Sequence, residues 1–452
     1  TIVKFMVKSL RPKSVLTAAL VSVLLLGFPL LQKHNTANPS FNIPVWSAGS
    51  IVPIPVRAGN TASYSKNGDS WLYIVSGRNQ NEAIIKTVQR FSVSTNTWDT
   101  VAPHPTGLLG GATTILGDSL YVVGGVVNPP GAGLNTVSKF SINQNTWSTA
   151  ANFPAGIVDA KAVSYQDSIL YVAGGLSGLS SAGLLYMYNA RSDEWRAATP
   201  FPSATRRNFG GFAITGDTLV YMCGTAAFGS GSYYDSVYVG VINQTDRSII
   251  TWSRGANFPG QTRTFFDAHS WGSRGIIMTG GSTDNTFNTN SNECYVFSPG
   301  ANLWIQMPDK PTSWLTGQSG SVNTGNNIWK LICASGYASS YLSQNEILSD
   351  TINPIGIIQN NNIIPEKYSL MQNYPNPFNP ETNISFSIPF SGFVKLSVFD
   401  INGKEVTIAH KGFLYAGNYE IKLSSSYFAS GIYFYRLQTE KFTDAKKMVI
   451  VK

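Results

Sequence analysis

The chain of 452 residues is long enough for more than one domain, and 43% hydrophobic with 12% charged residues is typical of a globular, β-rich protein. The net charge of +8 lies at the two ends, because residues 1–36 carry five basic side chains and no acid, and residues 366–452 carry ten basic and seven acidic ones. The middle holds 17 of each, which excludes a large polyanion-binding surface. We therefore predict no nucleic-acid partner.

The N-terminal segment has the order of a secretory signal. Basic residues between Lys4 and Lys13 precede the apolar run of residues 14–31, and the polar stretch QKHNTANPS follows. We predict that residues 1–36 are a signal peptide for the Sec machinery. An uncleaved membrane anchor stays open as an alternative, because the apolar run is long and no A-x-A cleavage site is visible.

An internal repeat with a period near 50 residues comes next. Apolar runs that end in small residues recur between residues 72 and 336, as LYIVSG, LYVVGG, LYVAGG, VYMCG, IIMTGG and LICASG. A tryptophan recurs in step with them, at Trp46, Trp98, Trp147, Trp195, Trp252 and Trp304. Such a period indicates stacked units of four short strands each. Acidic residues mark the first tight turn of four units and are expected to be structural: Asp69, Asp118, Asp167 and Asp217.

These features resemble the kelch repeat, in which a double glycine closes the second strand and an aromatic residue and a tryptophan occupy spaced positions. The resemblance covers residues 41–349 and implies a six-bladed β-propeller. Ser76, Thr225 and Ser335 depart from the glycine pair, and the fourth blade lacks the aromatic residue seven positions before Trp252. Because Trp46 precedes the first glycine motif and no tryptophan follows the last motif within the repeats, we predict that the N-terminal segment supplies the outer strand of the last blade.

The cysteines and histidines argue against metal chemistry. Cys223, Cys294 and Cys333 form neither a CxxC pair nor an even set, so the sequence indicates neither a zinc site nor a disulfide framework. Only His104 and His269 lie in the repeats, which is too few for a copper oxidase on a kelch scaffold. We predict no metal and no cofactor, and assign no catalytic residue.

Candidate ligand-binding residues lie in or near the segments between blades, and two tyrosines lie in another loop, residues 226–238. They are Arg57, Asp159, Arg206, Arg207, Tyr233, Tyr234, Arg263 and Asp267. The kelch resemblance implies that the arginines lie near the mouth of the central channel, where guanidinium groups would suit a carboxylate or an acidic sugar. The alternative is that they bond loop carbonyls between blades. The tyrosines could stack on a sugar or pack between blades, and the aspartates keep open the acid/base chemistry of sialic-acid mutarotases, which share the six-bladed plan.

The last part of the chain follows an Asn-rich and Ile-rich linker, residues 350–366. Alternating apolar and polar residues predict a small antiparallel β-sandwich over residues 367–452, with Asn402 and Gly403 in a hairpin turn. The strings YPNPFNP, VFDINGKEV, ASGIYFYRL and KKMVIVK resemble the type A C-terminal sorting domain of the type IX, or Por, secretion system. The resemblance implies partners in the type IX translocon and sorting machinery, and a secreted or outer-membrane surface location reached through Sec and then type IX secretion.

The predicted fold class is therefore all-β, a six-bladed kelch β-propeller followed by a small antiparallel β-sandwich domain. The predicted function is non-catalytic binding of an unknown glycan or protein ligand by an exported propeller. Two alternatives stay open, a carbohydrate-active enzyme of the sialic-acid mutarotase type and a structural adhesion component without a defined pocket.

Overall fold

A computed structural model describes residues 44–452 apart from short segments. The omitted segments are 67, 167, 178–179, 182–183, 203–206, 227–232, 285–287, 301, 326–327, 353–356, 360–364, 391, 415–416 and 426–427. The predicted signal peptide, residues 1–36, and the candidate Arg206 lie outside the described residues. None of the helical segments in the described ranges is long and apolar enough to cross a membrane.

Six four-stranded antiparallel sheets form the blades of a propeller. Blade 1 comprises Asn60–Lys66, Asp69–Val75, Val88–Ser92 and Thr97–Val101. Blade 2 comprises Ala112–Leu116, Ser119–Val123, Val137–Ser141 and Thr146–Ala150. Blade 3 comprises Lys161–Tyr165, Ile169–Ala173, Leu185–Asn189 and Glu194–Ala197. Blade 4 comprises Gly211–Thr215, Thr218–Met222, Val237–Ile242 and Ile250–Gly255. Blade 5 comprises Ala268–Ser270, Ile276–Thr279, Cys294–Ser298 and Leu303–Met307. Blade 6 comprises Gln318–Asn323, Ile328–Ala334, Asn345–Thr351 and Val45–Ala48. The first strands of neighbouring blades contact one another around a central channel.

The N-terminal strand Val45–Ala48 is the outer strand of blade 6. It pairs antiparallel with Asn345–Thr351, and Trp46 lies opposite Leu348. The indole of Trp46 also donates a hydrogen bond to the carbonyl oxygen of Pro308 at the end of blade 5, at 2.8 Å. The two ends of the repeat region therefore meet in one sheet, which leaves no unpaired edge between first and last repeat.

The same tryptophan contact recurs in every blade. Each indole donates a hydrogen bond of 2.8–3.0 Å to the carbonyl of a residue just beyond the fourth strand of the preceding blade. The acceptors are Pro308, Ser50, Ala102, Ala151, Thr199 and Ala256 for Trp46, Trp98, Trp147, Trp195, Trp252 and Trp304. In blade 2 the aromatic partner Phe140 lies on the adjacent strand, with its ring centroid 5.0 Å from that of Trp147. The period of the tryptophans is thus the period of an inter-blade hydrogen bond.

Blade 4 lacks the aromatic partner for a local reason. The residue opposite Trp252 is Gly240, and a Cβ there would lie 2.7 Å from the indole. Trp252 therefore lies against the backbone of its own sheet and takes an edge contact from Phe201, with ring centroids 6.0 Å apart.

The second strand ends in two consecutive residues with positive φ in all six blades. The pairs are Ser76–Gly77, Gly124–Gly125, Gly174–Gly175, Cys223–Gly224, Gly280–Gly281 and Ser335–Gly336. The departure in blade 4 is therefore at Cys223, and Thr225 lies one residue beyond the pair. Gly280 shows why small residues occupy these positions, because a Cβ there would lie 2.2 Å from the indole of Trp314.

The apolar core lies between the blades. One cluster joins Tyr73 and Val75 of blade 1 to Leu120, Val122 and Phe140 of blade 2, and comparable clusters fill the other junctions. Neighbouring blades therefore stabilise each other by sheet-on-sheet packing. The three cysteines are buried in this core and form no disulfide.

The C-terminal domain consists of two four-stranded sheets. They comprise Ile357–Gln359, Gly417–Ser424, Glu381–Ile388 and Ser369–Leu370; and Glu405–Leu414, Gly392–Phe399, Gly431–Thr439 and Thr443–Ile450. Alternate residues of both sheets, such as Ile384, Leu396 and Leu437, are fully buried in one core. At the predicted hairpin turn, the carboxylate of Asp400 accepts hydrogen bonds from the amides of Asn402 and Lys404, at 2.9 and 3.0 Å.

The proline-rich string NYPNPFNP is part of the C-terminal domain and docks on its last strand. The amide of Phe378 donates to the carbonyl of Val449 at 3.0 Å, and the side-chain oxygen of Asn376 accepts from the amide of Val449 at 2.8 Å. Asn373 is buried and donates through its side chain to the hydroxyl of Thr382 at 2.9 Å. Prolines suit this segment because they lack an N–H that would otherwise need a partner.

Candidate ligand site in the central channel

One residue from each blade junction forms a ring at one end of the central channel. All six have positive φ and immediately precede the first strands, and they are Ala58, Gly110, Asp159, Phe209, Phe265 and Thr316. Backbone hydrogen bonds link neighbours around this ring: amide to carbonyl, Gly110 to Ala58, Asp159 to Gly110, Phe265 to Phe209 and Thr316 to Phe265, at 2.7–3.2 Å. We call these six residues the mouth ring. The linked backbones place six side-chain positions around one opening.

The mouth ring is chemically uneven. Ala58 and Gly110 leave one side open, whereas the rings of Phe209 and Phe265 lie with centroids 4.3 Å apart. The hydroxyl of Thr316 is buried without a hydrogen-bond partner among the described residues. The cavity beneath holds about 440 Å³, which is within the range of small-molecule sites. A polar ligand can therefore meet an acid and aromatic surface in one place, whereas the Thr316 hydroxyl is not accessible from the cavity.

A salt bridge crosses the channel below the mouth ring. Lys161 of blade 3 is bonded through Nζ to the carboxylate of Asp267 of blade 5. The corresponding position of blade 4 is Gly211, where a Cβ would lie 2.6 Å from the ring of Phe266 in the neighbouring blade. Since both residues lie two positions beyond the mouth ring, the bridge lies roughly 7 Å below it. The described lining continues deeper along the first strands, to residues such as Ser164 and Ser270, so the cavity extends past the bridge.

His269 lies in the same cavity wall. Its Nε2 is 2.8 Å from the hydroxyl of Ser319 in blade 6. Burial lowers the pKa of His269 to about 4, although nearby Asp267 acts in the opposite direction. The imidazole is therefore neutral near pH 7 and engaged in a contact between blades.

Asp159 is the acid of the mouth ring. Burial among the channel walls raises the pKa of its carboxyl to about 6, and the positive charge of Lys161 opposes this rise. Its carboxylate makes no hydrogen bond or ion pair within the described part of the chain. Among the described ranges, no group of three or more His, Cys, Asp and Glu side chains could hold a metal ion.

The candidate arginines occupy other places. Arg207 and Arg263 are 2% and 1% exposed, and neither lines the cavity. Arg207 donates to the carbonyl oxygens of Cys223 and Ser236, at 3.3 and 3.2 Å, and lies over the ring of Tyr234 at 4.2 Å. Arg263 donates to the hydroxyl of Ser291 at 2.9 Å and pairs with a glutamate. These contacts within the loops favour the alternative interpretation, in which the arginines bond loop groups.

Arg57 lies on the same face but outside the described lining of the cavity. It donates to Glu82 and to the hydroxyl of Tyr341, both at 2.9 Å. Tyr233 donates to the carbonyl of Asp284 at 2.6 Å. Of the eight candidates, only Asp159 and Asp267 are therefore brought together in the described lining of the channel, and Arg206 is outside the described residues.

The sequence did not single out the other members of the mouth ring. Ala58, Gly110 and Thr316 lie twelve residues after the tryptophans at 46, 98 and 304, as Asp159 does after Trp147. This shared spacing from the tryptophan is the sequence signal from which four of the six positions could have been identified. Phe209 and Phe265 have offsets of fourteen and thirteen, because the loops before them are longer, and the correspondence is visible only in the structure.

Comparison with known proteins separates the two parts of the chain. Residues 372–451 match the family described as Secretion system C-terminal sorting domain, and residues 108–154 match the Kelch motif. A segment of 58 residues is 33% identical to Kelch-like protein 15 of Gallus gallus, which covers 13% of this chain and 12% of that protein.

The solved structure of YjhT superposes with a TM-score of 0.55 at 15% identity, over 68% of this chain and 98% of that one. At this identity the likeness concerns the fold alone. The sorting domain implies export through type IX secretion to the cell surface or beyond. The chain therefore combines a six-bladed kelch β-propeller with the C-terminal sorting domain of a type IX (Por) secretion system.

Proposed function

We propose that this chain is a secreted or cell-surface binding protein whose propeller holds a glycan or protein ligand at the mouth ring without changing it chemically. The observation that carries the proposal is the mouth ring itself, which combines Asp159 and two phenylalanines over a cavity of about 440 Å³. Ring-shaped sites of this kind suit sugars, because aromatic surface accepts the apolar face of a sugar and polar groups accept its hydroxyls.

A second candidate is acid/base catalysis of the sialic-acid mutarotase type. The observation that favours it is Asp159, whose pKa near 6 allows it to give and take a proton close to neutral pH. The rest of the described cavity offers little support. Asp267 pairs with Lys161, and His269 contacts the hydroxyl of Ser319. Arg207 and Arg263, the described arginines expected to hold an acidic sugar, are buried in the blades. Binding without turnover is therefore the better-supported function.

The propeller is tested by a glycan-array and acidic-sugar screen of the purified chain, with every hit followed by proton NMR. Binding without anomer change or product is expected. The variant Ala58→Trp should abolish it, because Phe209 and Phe265 show that this backbone position accommodates an aromatic side chain, and tryptophan would fill the open side of the mouth ring. Ser192→Trp, in an exposed turn of blade 3, is the matched control. Binding that survives Ala58→Trp would overturn the channel site. A change in the anomer or the structure of the bound sugar would favour the second candidate function, mutarotase-type catalysis.

Export is the second part of the proposal. We take residues 1–36 as a Sec signal and residues 367–452 as the signal read by the type IX translocon, with the chain either released or attached at the surface. Deleting residues 367–452 should leave the propeller inside the outer membrane of a type IX-competent host, whereas the full chain should reach the surface or the medium. Cell fractionation measures the export of both forms. Equal export of the full and the shortened chain would contradict this role.

A further inference from the structure

We infer that the ligand presents a positively charged group, such as the ammonium of an amino sugar, to Asp159 at the mouth ring. The inference rests on the proposed function, because it specifies which chemistry the mouth ring binds. It departs from the acidic-sugar expectation that the arginines suggest in the sequence.

The charge balance of the cavity is the first support. The charged side chains of its described lining are Asp159, Lys161 and Asp267, and the latter two neutralise each other in a salt bridge. Arg207 and Arg263 are fully buried and bonded inside the blades. The described lining therefore carries one unbalanced negative charge, which attracts a cation and repels an anion.

The surroundings of Asp159 are the second support. A Cβ on Gly110 would lie 2.4 Å from Oδ1 of Asp159, so the carboxylate lies over the glycine in the space that a side chain would fill, and Asp159 stays partly accessible. Phe209 and Phe265 line the same opening. Aromatic faces and a carboxylate are the two groups with which proteins bind organic ammonium ions in water-poor sites.

Desolvation gives the third support. Confinement in the channel raises the pKa of Asp159 to about 6 although the positive charge of Lys161 opposes the rise, so its desolvated charge is only partly compensated by the described residues. The other titratable groups facing it, Lys161, Asp267 and His269, are already engaged with one another or with Ser319. A bound ammonium would supply the missing counter-charge, whereas a bound carboxylate would add to the penalty.

The test is isothermal titration of the full chain at pH 7 with glucosamine, glucose and glucuronic acid. Glucosamine should bind at least about tenfold more tightly than glucose, the ratio expected for one charge-assisted hydrogen bond, and glucuronic acid more weakly than either. In Asp159→Asn the advantage of glucosamine over glucose should disappear. Asp309→Asn, at an exposed position after the outer strand of blade 5, should keep it.

The outcomes separate this inference from the proposed function. If glucosamine binds no better than glucose, or if its advantage survives Asp159→Asn, the charge preference is overturned while a channel site blocked by Ala58→Trp still stands. If glucosamine does not bind at all, the inference also fails. If binding persists unchanged in Ala58→Trp, the proposed channel site itself is overturned. Thermal unfolding of each variant establishes that the variant is folded before its affinity is compared.

Discussion

At the residue scale, the desolvated carboxylate of Asp159 lowers the stability of the folded protein at neutral pH and keeps a negative charge in the channel. Its pKa in the folded protein lies above the ordinary value of 3.8, at about 6, because the channel walls exclude water from the carboxylate. The folded state therefore binds this proton more tightly than the unfolded state does. The stabilisation that results is complete below about pH 3 and is lost as the pH rises through 6.

Asp159→Asn should therefore stabilise the protein in a pH-dependent way. Below about pH 3 the variant and the parent should unfold at the same temperature, because the carboxyl is then protonated in both the folded and the unfolded state. Above pH 7 the free energy of unfolding should be higher in the variant by about 1 to 3 kcal/mol. Thermal unfolding followed between about pH 3 and pH 8 measures the difference, and Asp309→Asn provides the exposed control. An equal gain at all pH values would show that the desolvated charge is not its cause.

Arg207 illustrates the opposite case, a charge whose role is structural. Val56, Leu108, Ile157 and Trp314 occupy the corresponding position in other blades, and all are buried. Arg207 fits among them because its guanidinium bonds two carbonyls and stacks on Tyr234. The sequence places these four residues ten positions after their tryptophans, but the longer loop before Arg207 hides the correspondence. Its orientation could not be predicted, because a charged residue at a loop is expected to face water.

Arg207→Ala should thus lower the free energy of unfolding by about 2 to 4 kcal/mol, since it leaves a cavity and removes the guanidinium bonds to the buried carbonyl oxygens of Cys223 and Ser236. The affinity of the remaining folded protein for a channel ligand should be unchanged. Urea unfolding and titration of the same preparations measure both quantities, with Arg191→Ala at an exposed turn as the control. A folded variant that loses binding would instead return Arg207 to the ligand site.

At the element scale, the blades depend on tryptophans whose spacing is visible in the sequence. What the sequence does not show is their acceptor, because it is a backbone carbonyl of the preceding repeat. In blades 1, 2, 3 and 5 the same acceptor residue also donates its amide to an Asn or Asp two positions before the tryptophan, as Ala102 does to Asn145 at 2.8 Å. The side chains of one turn thus hold both backbone groups of a single residue in the next blade.

Trp147→Phe isolates one of these inter-blade hydrogen bonds. Phenylalanine keeps an aromatic ring against Phe140 and His104 but cannot donate to the carbonyl of Ala102. The free energy of unfolding should fall by about 1 to 3 kcal/mol, since the carbonyl loses its donor. Trp71→Phe is the control, because Trp71 stacks on Tyr64 within blade 1 and, among the described residues, donates no hydrogen bond to a neighbouring blade. Equal losses in both variants would attribute the effect to ring size alone.

At the scale of the whole molecule, closure of the ring turns six repeats into one cooperative unit. The order of motifs already predicts that the N-terminal strand completes the last blade, since a tryptophan stands before the first glycine pair. The channel chemistry could not be predicted in the same way, because Lys161 and Asp267 are separated by 106 residues and meet only when the ring places blades 3 and 5 on either side of blade 4. Contacts that repeat along the chain are visible in its sequence, whereas contacts across the channel are not.

Two truncated chains test the closure directly. One begins at Pro44 and the other at Ser50, so they differ only by the strand Val45–Ala48 and its flanking residues. The shorter chain loses the pairing with residues 346–349, the packing of Trp46 and its hydrogen bond to Pro308. Its free energy of unfolding should be lower by at least about 3 kcal/mol, and the exposed edge of blade 6 should promote association. Thermal unfolding and light scattering measure the two effects. Equal unfolding temperatures would mean that blades 5 and 1 hold blade 6 in place without the strand, and that the ring is stabilised by inter-blade packing alone.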